Sequence, residues 1–395
     1  MIGREVVIVS AVRTAIGTFG GTLKSVPPTE LAATCTREVL SRAGVAPTEV
    51  GHVVFGSVIQ TEPRDMYLAR VAAIDAGIPV EVPALTVNRL CGSGAQAVVS
   101  AAQSIMLGDA DVAIAGGAES MSRSPYSQTG ARWGARMGDV AVVDMMLGAL
   151  NDPFGHGHMG VTAENVAQRY QITRADQDAF AAGSHRKAAH AIKEGRFKSQ
   201  IVPVEVKTGR EAVLFDTDEH VRADANPEQM ASLRPAFKKD GTVTPGNSSG
   251  INDGAAALLL MSAEKAAALG LKPMARIIGY GHAGVEPSEM GLGPIPAVRN
   301  LMKSTGMTID DFDVIESNEA FAAQACAVSK ELGFPAEKTN PNGGAIALGH
   351  PVGASGAIIT VKALYELERA GGRYGLVTLC IGGGQGISLA VERLN

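Results

Sequence analysis

The sequence predicts an α/β fold made of two similar halves, and three observations predict it. Short, almost wholly apolar runs alternate with small-residue-rich runs of helical length. The same order of runs occurs at both ends of the chain. Between the ends lies a stretch of different character, Met121 to about Gly246, with the only Trp (Trp133) and segments rich in Gly, Pro and Met. Near-continuous apolar strands separated by helices indicate a parallel sheet covered on both faces.

The elements follow in order. Val6–Val9 opens as a strand. Thr29–Ala43 follows as a helix, with Thr29 as its expected N-cap. His52–Gly56 is the next strand, and Val82–Val87 reads as a buried one. Gly94–Leu107 is a helix and Asp111–Gly117 a strand. In the middle stretch, Thr162–Tyr170 and Arg174–Glu194 have amphipathic spacing. The order then returns: strand Ala275–Gly279, strand Phe312–Glu316, helix Ala320–Leu332, helix Ser355–Arg369 and strand Gly375–Cys380. This pattern reads as a diverged internal duplication; two unrelated α/β halves would give the same pattern.

Composition narrows the function classes. With 395 residues, 46% of them hydrophobic, the chain fills two or three compact units. A net charge of −5 argues against nucleic acid as a partner. Residues 186–239 carry eleven Lys/Arg against eight Asp/Glu, a basic bias that suits a phosphorylated ligand or a plain solvated surface. The apolar run Ala255–Met261 is far too short to span a bilayer, so no membrane is expected. Met1–Arg13, with Glu5, does not read as a signal peptide. Cys35, Cys91, Cys326 and Cys380 show no CxxC spacing, so neither a zinc site nor a redox pair is expected, and the cytoplasm is the simplest compartment.

The chemistry concentrates at four turns. Asn88-Arg89-Leu90-Cys91-Gly92-Ser93-Gly94 joins a strand to a helix. A thiol there faces the positive end of a helix dipole, which favours thiolate. The flanking glycines let a substrate carbonyl approach closely. These are conditions for a cysteine nucleophile. Asn318-Glu319-Ala320-Phe321 follows a strand, Gly349-His350-Pro351 precedes a helix, and Cys380-Ile381-Gly382-Gly383-Gly384-Gln385-Gly386 follows a strand. Residues beyond strand C-termini converge on the ligand crevice of such sheets. Cys35 and Cys326, inside helices, read as buried small hydrophobes. His156-Gly157-His158 offers two metal-ligand types with no third in register, so no metal is expected.

Those four motifs, in that order, resemble the thiolase family. The resemblance runs through essentially the whole chain, including Gly116–Ser122, His158–Asn165 and Gly246–Asp253, and is greatest to bacterial acetyl-CoA acetyltransferases and broad-specificity β-ketothiolases of polyhydroxyalkanoate-making bacteria. It implies a five-layer α-β-α-β-α fold of two βαβαβαββ halves. The implied domains are 1–120 as the first half, 121–246 as an inserted loop domain, 247–272 as the return of the first half, and 273–395 as the second half. It implies Cys91 as acyl carrier, His350 as the base that takes its proton, and Cys380 as the acid/base at the α-carbon of the second acyl-CoA. Asn318 would hold a water that faces an enolate with His350, and the N–H groups of Cys91 and Gly382 would face the tetrahedral oxyanion.

Coenzyme A and acyl-CoA are the implied substrates, with no permanently bound cofactor. Ser249 would contact the pantetheine arm and Arg222 would lie near the adenine. His158, Met159, Phe237, Met290 and Phe321 would line the pantetheine and acyl tunnel, although Met290 and Phe321 also read as ordinary core. Pro245 and the Asn151–His156 loop depart from the family pattern. A homotetramer is implied, since residues 121–148 resemble a tetramer-forming loop. Two rivals stand beside this reading. A β-ketoacyl synthase would share the fold but lack Cys380, and a non-catalytic acyl-CoA-binding subunit would lack Cys91, His350 or Cys380.

Overall fold

The structure, a computed structural model, describes residues 3–208 and 211–394; Gly209 and Arg210 of the basic stretch lie outside the described residues, as do Met1, Ile2 and Asn395. The first half runs β1 (Val6–Arg13), α1 (Pro28–Ala43), β2 (His52–Gly56), α2 (Leu68–Asp75), β3 (Ala84–Val87), α3 (Ser93–Leu107) and β4 (Val112–Ser120). The middle stretch carries α4 (Met159–Tyr170) and α5 (Arg174–Lys193). The chain then returns as β5 (Asn252–Ser262). The second half runs β6 (Ala275–Gly284), α6 (Pro294–Thr305), β7 (Val314–Ser317), α7 (Ala322–Leu332), α8 (Ser355–Ala370), β8 (Tyr374–Ile381) and β9 (Gln385–Arg393).

The strands form one hydrogen-bonded path, β7-β8-β9-β6-β1-β5-β4-β2-β3. Two half-sheets meet at β1 and β6 through only two residue pairs, Val7 with Arg276 and Ile8 with Ala275. The middle layer is α3 and α8, which pack on each other and on strands of both halves. The contact is backbone to backbone. A Cβ at Gly94 would lie 2.6 Å from the Ala357 nitrogen, and one at Gly356 would lie 2.3 Å from the Ala95 nitrogen. Helices α1 and α2 cover the outer face of the first half-sheet, and α6 and α7 that of the second. This is the expected five-layer order.

Several expectations need correction. The sheet is mixed, not parallel: β2 pairs parallel with β3 and β4, and β7 with β8, while the remaining neighbours are antiparallel. Helical crossovers give parallel pairs, but the last strand of each half runs back beside the strand before it, after a glycine turn in the second half and after the 121–251 stretch in the first. The strand β3 is half exposed, with Leu85 at 45%, because it lies at the sheet edge. The third strand of the second half shrinks to one bridge, Ile315 with Thr339. Thr29 is buried in the first turn of α1 and does not cap it. Pro27 holds the cap position and Pro28 starts the helix, where a missing N–H costs nothing. Among the described residues one segment, Leu90–Leu107, has the length and hydropathy of a membrane span, and it is the α3 layer packed between the half-sheets.

Candidate active site

Cys91 sits on a strained turn. Leu90, just before it, has φ of 44°, in the left-handed region that β- and γ-branched residues avoid. The turn is held by its own side chains. The Leu90 N–H donates to Asn88 Oδ1 at 2.9 Å, the Arg89 N–H donates to Ser93 Oγ at 2.8 Å, and Ser93 Oγ donates to the Leu90 carbonyl at 2.7 Å. Such strain persists only where neighbours over-determine it. Gly92 then caps α3, pressed so closely on β8 that a Cβ would meet Ile381 Cδ1 at 2.6 Å.

The thiolate expected from the helix dipole is not the resting form. Burial pushes the Cys91 thiol up to about 11, and the N–H groups of Gly382 and of Cys91 itself only partly oppose it. The sequence shows the helix N-terminus but not the burial that outweighs it. Those two N–H groups nonetheless face the thiol, where oxyanion donors are expected. Gly382 begins the Gly382-Gly383-Gly384 hairpin between β8 and β9, where Gly383 and Gly384 take φ of 81° and 84°.

His350 comes from the turn before α8, the topological counterpart of the Cys91 turn before α3. Its backbone N–H donates to Asn252 Oδ1 at 3.0 Å. Its Nδ1 lies 2.6 Å from Ser355 Oγ, and its Nε2 lies 3.4 Å from Asn318 Nδ2. Burial lowers its pKa to about 4, so the ring is neutral at pH 7. Asn318 Oδ1 is buried with no partner among the described residues. Glu119, also buried, accepts the N–H groups of Val58, Ile59 and Gly353, and so ties the His350 turn to the loop after β2.

A cavity of about 540 Å³ joins these groups. Its wall includes Cys91, His350, Gly382, His158, Met159, Phe237, Ser249, Arg222, Met290 and Phe321. Asn318 and Cys380 stand behind that wall. Cys380 is fully buried among Met159, Met290, Ala320 and Phe321. Burial, with Cys91 nearby, pushes its thiol well above the ordinary range. Met290 and Phe321 are thus both core and cavity wall.

The inserted stretch shapes the opposite wall. His158 caps α4, its Nδ1 accepting the Gly160 N–H at 3.0 Å, and its ring stacks on Phe237 at 4.6 Å. Ser249 is fixed by its N–H to the Ala320 carbonyl, so the 244–249 turn leans on the Asn318–Phe321 motif. Arg222 is exposed at the rim, its N–H donating to His185 Nδ1 at 3.2 Å. Pro245 lines the cavity. The Asn151–His156 loop instead forms a hairpin leading to His158, with Asp152 accepting the Phe154 and His156 N–H groups.

The sequence reading missed Asn252, Ser355 and Glu119. A signal existed for Ser355, a hydroxyl four residues after Pro351 at a helix start. Asn252 and Glu119 act only through the fold.

Residues 6–264 match the thiolase N-terminal domain and residues 271–393 the thiolase C-terminal domain. The chain belongs to the thiolase family. This thiolase is 64% identical over 392 residues to the beta-ketothiolase BktB of Cupriavidus necator, covering 99% of this chain and 100% of that one. It superposes on the crystal structure of the Bacillus anthracis acetyl-CoA acetyltransferase with a TM-score of 0.98, at 49% identity over 100% of both chains. Human mitochondrial 3-ketoacyl-CoA thiolase in complex with CoA gives a TM-score of 0.96 at 42% identity, covering 99% of this thiolase and 98% of that chain.

Proposed function

We propose that this chain is an acyltransferase of the β-ketothiolase kind. It condenses an acyl-CoA with acetyl-CoA, or cleaves a 3-ketoacyl-CoA with CoA, through a thioester on Cys91. The observation that carries this reading is the convergence of Cys91, His350 and the Gly382 N–H on one cavity, with Cys380 buried beside it. The names of the relatives support it.

A thiol and an imidazole, both held neutral by burial, suit a nucleophile activated only on demand. His350 Nε2 takes the Cys91 proton, and the sulfur attacks the thioester carbonyl. The N–H groups of Cys91 and Gly382 receive the oxyanion, each contributing about 3 kcal/mol in such sites. Collapse expels CoA, protonated by His350, and leaves acyl-Cys91. Cys380 is a thiol at rest, so it first gives its proton to the now neutral His350, and as thiolate it takes a proton from the α-carbon of the second acyl-CoA. The enolate oxygen faces the protonated Nε2 of His350 and a water that donates to Asn318 Oδ1. Its carbon attacks the acyl-Cys91 carbonyl, and collapse breaks the thioester and expels the Cys91 sulfur, which takes its proton back from His350. Ser249 contacts pantetheine, Arg222 lies near the adenine, and His158, Met159, Phe237, Met290 and Phe321 line the tunnel.

The domain division at 120, 246 and 272 belongs to this reading. So do a cytoplasmic location and a role in polyhydroxyalkanoate or fatty-acid metabolism. A homotetramer belongs to it too, supported by Trp133 and Met137, exposed at 85% and 99% on the excursion, and by the open edge of β3. The test is thiolysis of acetoacetyl-CoA and 3-ketovaleryl-CoA. Both should be cleaved, with kcat/KM differing by less than about 200-fold, the usual limit for one methylene. No CoA-dependent cleavage of either would refute the function. A ratio above about 10³ would restrict it to acetyl groups. Light scattering should give about four times the 40.7 kDa chain mass.

A further inference from the structure

Ser355 is the first residue of α8, is 3% exposed, and makes two contacts. Its Oγ lies 2.9 Å from the Pro351 carbonyl and 2.6 Å from His350 Nδ1. A hydroxyl has one proton and two lone pairs. A carbonyl can only accept, so the Ser355 proton goes to Pro351. The oxygen then has only lone pairs to offer His350, and Nδ1 must carry the ring hydrogen. A neutral imidazole has one hydrogen, so Nε2 is left as a lone pair, and the Asn318 amide presents its Nδ2 to it at 3.4 Å. With Nδ2 turned to the histidine, Asn318 Oδ1 is the oxygen left without a partner. One hydroxyl thereby sets the orientation of two groups.

We propose that Ser355 is the positioning residue that locks His350 in its Nδ1–H tautomer, so that Nε2 is the nitrogen that receives the Cys91 proton. This rests on the reading of His350 as the base for Cys91. The alternative tautomer would put a hydrogen on Nε2, facing the Asn318 amide hydrogens and unable to take another. The ring's other side-chain contact, the longer one to the Asn318 amide, can be met by either end of that amide, and the bond to Asn252 comes from the His350 backbone. Behind Ser355 lies a void of about 10 Å³ bordered by Asn318 and Lys362, which barely reaches the volume one water needs.

The experiment is single-turnover acylation, followed as CoA released from acetyl-CoA, in the wild type and in Ser355→Ala, Ser355→Thr and His350→Asn. Ser355→Ala should slow acylation about 10- to 100-fold, a part of what a positioned base supplies. Its half-saturating acetyl-CoA concentration should stay within about threefold, because Ser355 touches no substrate. Ser355→Thr should recover to within about threefold of wild type, since a helical Thr can bond the carbonyl four residues back and the void can take its methyl. Near-normal acylation in Ser355→Ala with slow His350→Asn would overturn the proposal, as would equal losses in the Ala and Thr variants. Normal acylation in His350→Asn would overturn the underlying reading of His350 instead.

Discussion

The two halves share a topology but spend it differently. In each, the turn before the third helix delivers a reactive side chain to the centre: Cys91 before α3 and His350 before α8. In each, the next link is the one between the last two strands. In the second half that link is three glycines, and it delivers a backbone N–H at Gly382. In the first half it is the whole stretch from Met121 to Ile251, and it delivers His158, Phe237 and Ser249. The halves therefore divide the labour. Equivalent corners hold the chemistry, and the one expanded connection holds the substrate. Cys380 breaks the symmetry, being a second thiol on a strand end with a different environment from the first.

The sharpest way to break that comparison is to exchange the roles of the two thiols. Cys91→Ala should lower CoA exchange into acetyl-CoA by about 10⁴-fold or more, as loss of a nucleophile does. Cys380→Ser should keep that exchange within about tenfold while proton exchange at the α-carbon falls about 10²-fold or more. Mass mapping should find the acetyl group on Cys91. If Cys380→Ser loses CoA exchange as fully as Cys91→Ala, the two thiols do not divide the reaction.

A smaller effect tests how the halves are joined. Gly356→Ala puts a methyl 2.3 Å from the Ala95 nitrogen, and backbone cannot yield as a flexible side chain does. The α3–α8 layer should spread, at a cost of about 1–3 kcal/mol from overpacking. A thermal melt should show a lower Tm, together with a loss of kcat. Unchanged Tm and kcat would mean that the two turns are not held in register by this contact.

The gentlest probe is pH. With its thiol raised to about 11, Cys91 is protonated at neutral pH, and its thiolate fraction grows tenfold per pH unit below that value. Iodoacetamide labelling of Cys91 should climb steadily from pH 6 to 9. A preformed thiolate–imidazolium pair would instead give a plateau there. His350, lowered to about 4, should still accept a proton at pH 5, so the acid limb of acylation should fall nearer pH 4 than 6.5.

Much of this was legible in the sequence because it is local. The alternation of Val6–Val9, Thr29–Ala43 and His52–Gly56 marks crossover units, and the turns at Cys91 and His350 declare themselves by their glycines. Strand order is not local: nothing near Asn252–Ser262 says that it lies between β1 and β4. The protonation of Cys91 was misread for the same reason. A helix N-terminus is visible in seven residues, whereas the burial that outweighs it, and the Gly382 N–H that partly opposes that burial from nearly three hundred positions away, exist only in the folded chain. Asn252 and Glu119 support the site through contacts that only the folded chain creates.

That strand order has a consequence for the birth of the molecule. The strands β1 and β4 have no hydrogen bonds to each other; both are stitched to β5. As the chain leaves the ribosome, the first 120 residues emerge with a missing rung, two apolar strand edges waiting for a partner. That partner arrives only after the entire substrate-binding excursion has been made. Long-range pairing of this kind is slow and leaves edges open to wrong partners. The chain should therefore depend on chaperone protection until Ser262 is out. A truncation at Ser120 should aggregate, and one carrying residues 1–264 should be the shortest N-terminal piece able to close its sheet.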